Sequence, residues 1–127
     1  MLKLLFLPLL LITCFCFGQD SASIIGKPKK VGNLLVAQND FKRKMNWEDS
    51  KAACDKLGKG WRLPTKDEML FLYENQEKII GLTDGSYWSS EEYKLDVRFA
   101  WKTRIQSGEQ NFTAKENNGL VRAVKSL

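Results

Sequence analysis

The sequence predicts an α+β domain in which two short helices pack on a small, twisted and mainly antiparallel sheet. Two helix starts support this prediction, because Asn46 and Thr65 are both good N-cap residues and acidic residues follow each within one turn. After residue 81 the pattern changes to short alternating segments that are typical of strands. Residues 60–65 (GWRLPT) and 87–90 (YWSS) each supply a tryptophan that we expect in the core.

The first 18 residues have the pattern of a signal peptide. Lys3 supplies a positive charge, residues 4–17 are almost wholly apolar, and small residues precede a cleavage point after Gly18. The apolar run is shorter than the roughly 20 residues that a membrane-spanning helix needs. We therefore predict that residues 1–18 are removed and that the protein is exported to the periplasm, the outer surface or the medium. A buried N-terminal helix and a membrane anchor are the alternatives.

Lipid attachment at Cys14 or Cys16 is a second processing route, and it would tether the protein to a membrane. A lipid-attachment site has a small residue directly before the cysteine, whereas Thr13 and Phe15 stand there in this sequence. The pattern favours simple cleavage, and a lipoprotein stays open as the minor alternative.

Composition limits the chemistry of this chain. The 127 residues carry a formal net charge of +5, and removal of Lys3 with the signal peptide lowers it by one. Mild basicity favours anionic partners. Histidine, the commonest general base and metal ligand, is absent, and Cys54 is the only cysteine left after cleavage, which excludes an internal disulfide. We predict one domain over residues 31–127, with no metal, no cofactor and no catalytic residues.

Runs of polar and apolar residues predict the segment before the domain and the first elements of the domain. Residues 19–30 are polar and predict a flexible leader. An alternative is a polyanion-binding tail made of Lys27, Lys29 and Lys30. Residues 33–37 are a short apolar run between turn residues and predict a strand. Residues 41–45 carry three adjacent cations and predict an exposed loop or a second strand.

The first helix begins at Asn46 and ends at the glycines Gly58 and Gly60. Its packing face has helical spacing and consists of Trp47, Ser50, Cys54 and Leu57. Because Cys54 lies on this face, we predict a buried and inert thiol, with a reactive thiol as the alternative.

The second helix begins at Thr65, where Thr65 and Glu68 have the spacing of a capping box. It should run to about residue 76 or 78. Its buried face is expected to contain Met69, Leu70, Leu72 and Tyr73. Before it, Arg62 is expected to pair with a carboxylate or a carbonyl in the core wall.

Residues 97–104 alternate as a half-buried strand. The pattern predicts that Val97, Phe99 and Trp101 point inward, as does Phe112 of a following strand. Arg98, Lys102 and Arg104 would then share the outward face, with the small Ala100 between them. Positions two apart on a strand are about 6–7 Å apart, near the spacing of charges along a sulfated polysaccharide.

The charged loop before this strand, residues 91–96, adds two more candidates. Tyr93 and Lys94 lie close in sequence to the cations of the strand, so we predict a ligand-binding site that consists of Tyr93, Lys94, Arg98, Lys102 and Arg104. The alternative is an ordinary exposed strand that charge makes soluble.

One series of residues resembles a known family, the Lcl-type C-terminal domain family. The matching positions are Asn46–Trp47–Glu48, Cys54, Leu57–Gly58, residues 60–65, Glu68, residues 87–90, Ala100–Trp101, Gly108 and residues 121–124. The resemblance covers residues 31–127. GWRLPT followed by YWSS is specific, whereas either motif alone would be weak.

The resemblance implies a C-type-lectin-like fold, related to C-type lectins and to formylglycine-generating enzymes, and export, often to a bacterial surface. Members with a known role look like adhesins that bind sulfated glycans. No binding site carries over, because the calcium-site triplets and the disulfides of C-type lectins are missing here. The cysteine chemistry of the formylglycine-generating enzymes has no counterpart either.

Two functions are consistent with these features. The first is an exported, non-enzymatic binding module for an acidic or sulfated glycan or another cell-surface polymer. The second is a protein-interaction or structural subunit of a cell-surface assembly that has no glycan ligand. Nothing in the sequence indicates a specific nucleic-acid partner or a transmembrane segment in the mature chain.

Overall fold

The computed structural model describes residues 20–127, so the predicted signal peptide, Cys14 and Cys16 lie outside the described residues. The helices are α1 (Ser21–Ile25), α2 (Trp47–Asp55) and α3 (Lys66–Glu74), with a 3-10 turn at Gln76–Lys78. The strands are β1 (Lys29–Val31), β2 (Leu34–Val36), β3 (Ser86–Glu92), β4 (Phe99–Arg104), β5 (Gln110–Ala114) and β6 (Val124–Ser126). Within residues 20–127, no helix is long and apolar enough to cross a bilayer.

The strands form two small antiparallel sheets, with the orders β1-β2-β6 and β3-β4-β5. Short bridges join them to the rest, because Arg62 pairs with Val124 and Tyr87 pairs with Leu120. This arrangement confirms the predicted α+β class of short helices on antiparallel strands. The division into two sheets is a refinement that the sequence did not predict.

Both helix starts have the predicted caps. The Asn46 side chain accepts a hydrogen bond from the Asp49 N–H at 2.8 Å. Thr65 and Glu68 form the reciprocal capping box, in which each side chain accepts from the backbone N–H of the other. These bonds satisfy N–H groups that have no partner within the helix. Helix α3 ends at Glu74, slightly before the expected end at residue 76 or 78, and the 3-10 turn at Gln76–Lys78 follows it.

Arg62 in the GWRLPT segment is paired, as predicted. Its guanidinium donates to both carboxylate oxygens of Glu68, at 2.6 and 3.0 Å, and to the Ser126 hydroxyl at 2.8 Å. The bond to Arg62 holds the pKa of Glu68 below its ordinary value. The segment therefore joins the start of α3 to the C-terminal strand.

The tryptophans of both signatures lie in the core, since Trp61 is 6% and Trp88 is 0% exposed. Two indoles link α2 to β3 in a reciprocal way: Trp47 Nε1 donates to the Ser89 carbonyl, and Trp88 Nε1 donates to the Met45 carbonyl, each at 2.8 Å. Gly119 packs so closely that a Cβ there would lie 2.8 Å from Trp88 Nε1. A side chain at residue 119 would displace the indole.

Arg122 is a buried cation at the centre of the molecule, with only 1% of its side chain exposed. Its Nε donates to the Asp40 carboxylate at 2.7 Å, and its terminal nitrogens donate to the carbonyls of Ala37 and Ile80. The Tyr87 hydroxyl donates to the same carboxylate at 2.6 Å. Burial, followed by the bond to Asp40, raises the pKa of Tyr87. The network closes around a charge that would be costly to leave unpaired.

The segment that the sequence predicts as a flexible leader is ordered from Asp20 onward, which corrects the prediction for residues 20–30. Residues 21–25 form α1, Ile24 is 1% exposed, and residues 29–31 form β1 against β2. Backbone N–H groups of Gln38 and Asn39 donate to the carbonyls of Ile25 and Ile24. These long-range bonds attach the segment to the domain.

Residues 41–45 form a loop that runs along residues 119–121. The Phe41 N–H donates to the Val121 carbonyl, and Met45 and Gly119 exchange two backbone hydrogen bonds. The loop alternative of the sequence analysis is therefore the correct one.

The predicted orientation of residues 97–104 is wrong. Ala100 is fully buried against Trp88, whereas Val97 lies before the strand and is 61% exposed. Phe112 of β5, which the pattern placed inside, is 43% exposed. The core beside Trp88 leaves space only for the small side chain of Ala100. The large aromatics of β4 therefore lie on the opposite face.

Cys54 is completely buried, as expected of a packing residue, and burial raises the pKa of its thiol to about 12, with the neighbouring Asp55 adding to the effect. Within residues 20–127 it has no cysteine partner.

We expect Asp40→Ala to lower the free energy of unfolding by about 3–5 kcal/mol, because it leaves the buried Arg122 guanidinium without its counter-charge. Denaturant unfolding measures the change. Tyr87→Phe is the matched control: it removes the hydroxyl bond to the same carboxylate and the bond from the Thr83 N–H to that hydroxyl, and should cost about 2 kcal/mol. Equal losses in the two variants would contradict the central role of the ion pair.

Cys54 should not react with a thiol reagent at pH 8 in the native protein. With a pKa of about 12, roughly one thiol in ten thousand is ionised at that pH, and the sulfur is also inaccessible. Unfolding in denaturant should expose one reactive thiol per mature chain, as followed by absorbance with a disulfide reagent. Rapid reaction under native conditions would show that the helix face opens.

Candidate ligand-binding surface

Four aromatic side chains form a cluster at the surface of the β3-β4-β5 sheet, and we call Tyr93, Phe99, Trp101 and Phe112 the aromatic platform. Tyr93 and Phe112 stack almost parallel, with ring centroids 3.9 Å apart and an angle of 6° between planes. Phe99 and Trp101 each meet Phe112 edge to face, at 5.8 and 5.5 Å. Stacked and edge-to-face pairs are the favourable geometries of aromatic rings, so the cluster is a preorganised surface.

Strand register explains how the platform forms. Phe99 and Trp101 are two residues apart on β4 and therefore share a face, and Phe112 lies directly opposite Trp101 on β5. A turn brings Tyr93 back over the same face: its N–H donates to the Phe99 carbonyl, and the Phe99 N–H donates to the Asp96 carbonyl. Helix α3 contacts both β3 and β4. Its first residue, Lys66, borders the platform.

Cations lie beside the rings. The Lys66 ammonium is 3.5 Å from the Trp101 ring centroid, a close cation–π contact. Lys94 is exposed in the turn, and the Arg98 side chain is 80% exposed. Arg98 forms an ion pair with Asp96 at 2.6 Å, and its hydrogen bonds hold the pKa of Asp96 at about 2. Arg98 therefore faces solvent with its counter-charge attached.

The apolar side chains exposed in this region are also notable. Five large hydrophobic residues in the described chain are strongly exposed, and three of them belong to this area, namely Leu95 at 84%, Val97 at 61% and Phe112 at 43%. Such clustering at the surface marks interaction sites more often than scattered single residues do.

The structure divides the predicted site residues into two groups. Tyr93, Lys94 and Arg98 lie at the platform or in the turn beside it. Lys102 lies on the opposite face of β4, 4.5 Å from the Trp88 ring centroid, and donates to the Asn118 carbonyl. Burial, followed by the charge of Lys44, lowers the pKa of Lys102. Arg104 is exposed at the far end of β4.

The prediction of one continuous basic strand face is therefore wrong. Arg98 precedes β4 rather than belonging to it, and Lys102 covers a core tryptophan. The ligand-binding role of the five residues stays a prediction. Three residues of the aromatic platform were not among the predicted site residues, namely Phe99, Trp101 and Phe112. Lys66, which borders the platform, was not among them either. The signal that was available was the concentration of aromatics at residues 93, 99 and 101, ahead of another at 112.

A groove of about 740 Å³ lies elsewhere, between α1, α2 and residues 41–45. Asp20 and Asp49 line it together with Arg43 and Lys56. Because charges of both signs are present, the groove has no marked preference for an anion or a cation. Residues 20–127 contain no group of three or more His, Cys, Asp or Glu side chains placed to hold a metal ion.

Comparisons with solved structures identify the fold. Botrocetin is similar over 80% of this chain and 98% of its own, with 11% identity and a TM-score of 0.60. A complex of botrocetin with a von Willebrand factor A1 domain mutant (I546V) contains a chain with the same coverage and identity and a TM-score of 0.56. EMS16, an antagonist of the collagen receptor integrin α2β1, matches over 79% of this chain and 97% of its own, with 13% identity and a TM-score of 0.55.

These neighbours confirm the C-type-lectin-like fold. No curated protein has a sequence that matches this chain. The family model of the Lcl C-terminal domain matches residues 26–125, which is most of the chain and includes both tryptophan signatures. The chain therefore belongs to the Lcl C-terminal domain family.

Proposed function

We propose that this protein is an exported, non-enzymatic binding module that holds an acidic glycan on the aromatic platform. The observation that carries the proposal is the stacked pair of Tyr93 and Phe112 at the surface, with Lys94 and Arg98 in the adjoining turn. The C–H faces of a sugar ring are weakly positive and pack on the negative faces of aromatic rings. Lysine and arginine donate charge-assisted hydrogen bonds to sulfate or carboxylate groups.

Charge supports an anionic ligand rather than a neutral one. The chain has a formal net charge of +5, which attracts polyanions at long range. Arg98 forms an ion pair with Asp96 in the unbound protein, so a bound sulfate group would share the Arg98 guanidinium with the Asp96 carboxylate. We therefore expect moderate affinity that depends on several contacts along a polymer.

A protein partner is the second candidate, and the exposed Leu95 and Val97 favour it. Aromatic and arginine side chains are enriched in protein interfaces, and apolar neighbours increase the area that a partner buries. Among the structural neighbours, botrocetin forms a complex with a von Willebrand factor A1 domain, and EMS16 is an antagonist of the collagen receptor integrin α2β1. A contact of this kind would depend on apolar area and only weakly on salt.

Retention on immobilised heparin tests the glycan proposal. We expect the double variant Lys94→Ala/Arg98→Ala to bind roughly tenfold more weakly than the parent protein, since two exposed charge-assisted contacts together contribute about 1.4 kcal/mol. The matched control is Lys59→Ala/Lys78→Ala, which removes the same charge from exposed positions outside the turn at residues 93–98. Equal losses in the two variants would indicate general attraction by net charge and would contradict a site at the platform.

Phe112→Ala tests the contribution of the rings. The side chain is already 43% exposed, so the variant should fold, and loss of ring stacking should weaken heparin binding several-fold at every salt concentration. Leu95→Ser/Val97→Ser should leave heparin binding unchanged. If the parent protein is not retained at low salt, the glycan proposal fails and the protein-partner candidate takes precedence.

A further inference from the structure

The outer edge of β5 is open. Among the described strands β5 pairs only with β4, and it is the last strand of its sheet. The bonds that flank the pairing fix which groups face outward: Arg104 N–H donates to the Glu109 carbonyl, and Lys115 N–H donates to the Arg98 carbonyl. Because these groups alternate along an antiparallel strand, Asn111 and Thr113 bond to β4, and Gln110, Phe112 and Ala114 direct their N–H and C=O groups to the outer edge. The Ala114 carbonyl already accepts from the Asn117 N–H at 3.0 Å, so the edge offers mainly the groups of Gln110 and Phe112 and the Ala114 N–H.

Two of the four edge strands of these sheets, β1 and β5, differ in their charge. The edge strand β1 carries the exposed Lys29 and Lys30, and edge lysines oppose pairing with another strand. The sequence of β5, QNFTA, contains no charged residue, and Asn111 and Phe112 are exposed. Open edges without such protection are places where strands of other chains add. The chain thus protects one edge and leaves the other free to pair.

We infer that two copies of this chain associate by antiparallel pairing of their β5 strands about a two-fold axis at Phe112. In this register Phe112 lies opposite its own copy, Asn111 lies opposite Thr113, and Gln110 lies opposite Ala114. The outward groups of Gln110 and Phe112 then meet outward groups of the second strand, as a hydrogen-bonded ladder requires. Because β5 contains no charged residue, this pairing places no like charges opposite each other. A pairing through β1 would place the lysines of two copies opposite each other.

The pairing has a consequence for the surface of the molecule. A two-fold axis perpendicular to the sheet keeps the same face outward in both copies, so two three-stranded sheets become one of six strands. The two aromatic platforms then lie side by side, with the two Phe112 side chains adjacent to each other on the same face. If the platform binds a glycan, as proposed above, two adjacent sites on one polymer would raise the effective affinity. The dimer itself is argued from the strand edge and stands without that function.

Sedimentation velocity of the mature chain, over a wide range of protein concentration, tests the inference. The parent protein should change from monomer to dimer as concentration rises, because a single strand pair gives a modest interface. Asn111→Lys/Thr113→Lys places two like-charged pairs across the interface and should stay monomeric where the parent is a dimer. The control Asn33→Lys/Ala52→Lys adds the same charge at exposed positions away from β5 and should dimerise normally.

A charge-swap experiment separates loss of pairing from damage to the fold. Asn111→Glu/Thr113→Glu should also be monomeric alone, and an equal mixture with the lysine variant should form a heterodimer, since each lysine then lies opposite a glutamate. A parent protein that is monomeric at all concentrations would overturn the inference. A lysine variant that dimerises like the parent, or a mixture that stays monomeric, would overturn it too. Heparin binding is not part of this test, so either proposal can fail alone.

Discussion

The buried ion pair of Arg122 and Asp40 is the interaction on which the rest of this structure depends. Its guanidinium binds the Asp40 carboxylate and the carbonyls of Ala37 and Ile80, and the Tyr87 hydroxyl completes the network. The segment after β2, the segment before β3, the strand β3 itself and the approach to β6 therefore meet at one charge. Within residues 20–127 no disulfide fixes these segments. A cation that is costly to bury alone thus makes the separate parts of the fold depend on each other.

Those features of the fold that arise within one helical turn could be predicted from the sequence. The caps at Asn46 and Thr65 need only a side chain and a backbone N–H three residues later, so they follow from local composition. The buried face of β4 could not be predicted from the sequence, because alternation of apolar and polar residues shows that a strand has two faces but not which face is buried. Trp88, on the neighbouring strand β3, lies on the buried face together with Ala100. The register shift between Trp88 and Glu92 adds an irregularity that no pattern of apolar residues reveals.

The difference between local and tertiary interactions also explains which features of the leader and of the candidate site could be predicted. Residues 20–30 look flexible by composition, yet one buried isoleucine and backbone bonds to residues 38 and 39 attach them to the domain. At the candidate site, the exposed turn that carries Tyr93, Lys94 and Arg98 could be predicted from its charged sequence, and the ligand-binding role of these residues stays a prediction. Phe99, Trp101 and Phe112 could not be predicted, because large aromatics are usually interior. These side chains lie on the face of the sheet opposite to Trp88, and they stay partly exposed beside Lys66, where α3 begins.

The lysines of this chain differ in their surroundings, because some of them lie over tryptophan rings and others do not. All four indoles have a lysine ammonium near the ring, with Lys51 and Lys115 at Trp47, Lys125 at Trp61, Lys102 at Trp88 and Lys66 at Trp101. A lysine whose ammonium lies over a ring covers apolar surface and adds a cation–π contact. These lysines therefore complete the edge of the core. The turn at residues 93–98 is different, because its cations cover no indole and backbone bonds hold it in place. Substitutions at Lys94 and Arg98 can therefore test the proposed glycan binding without loosening the tryptophans.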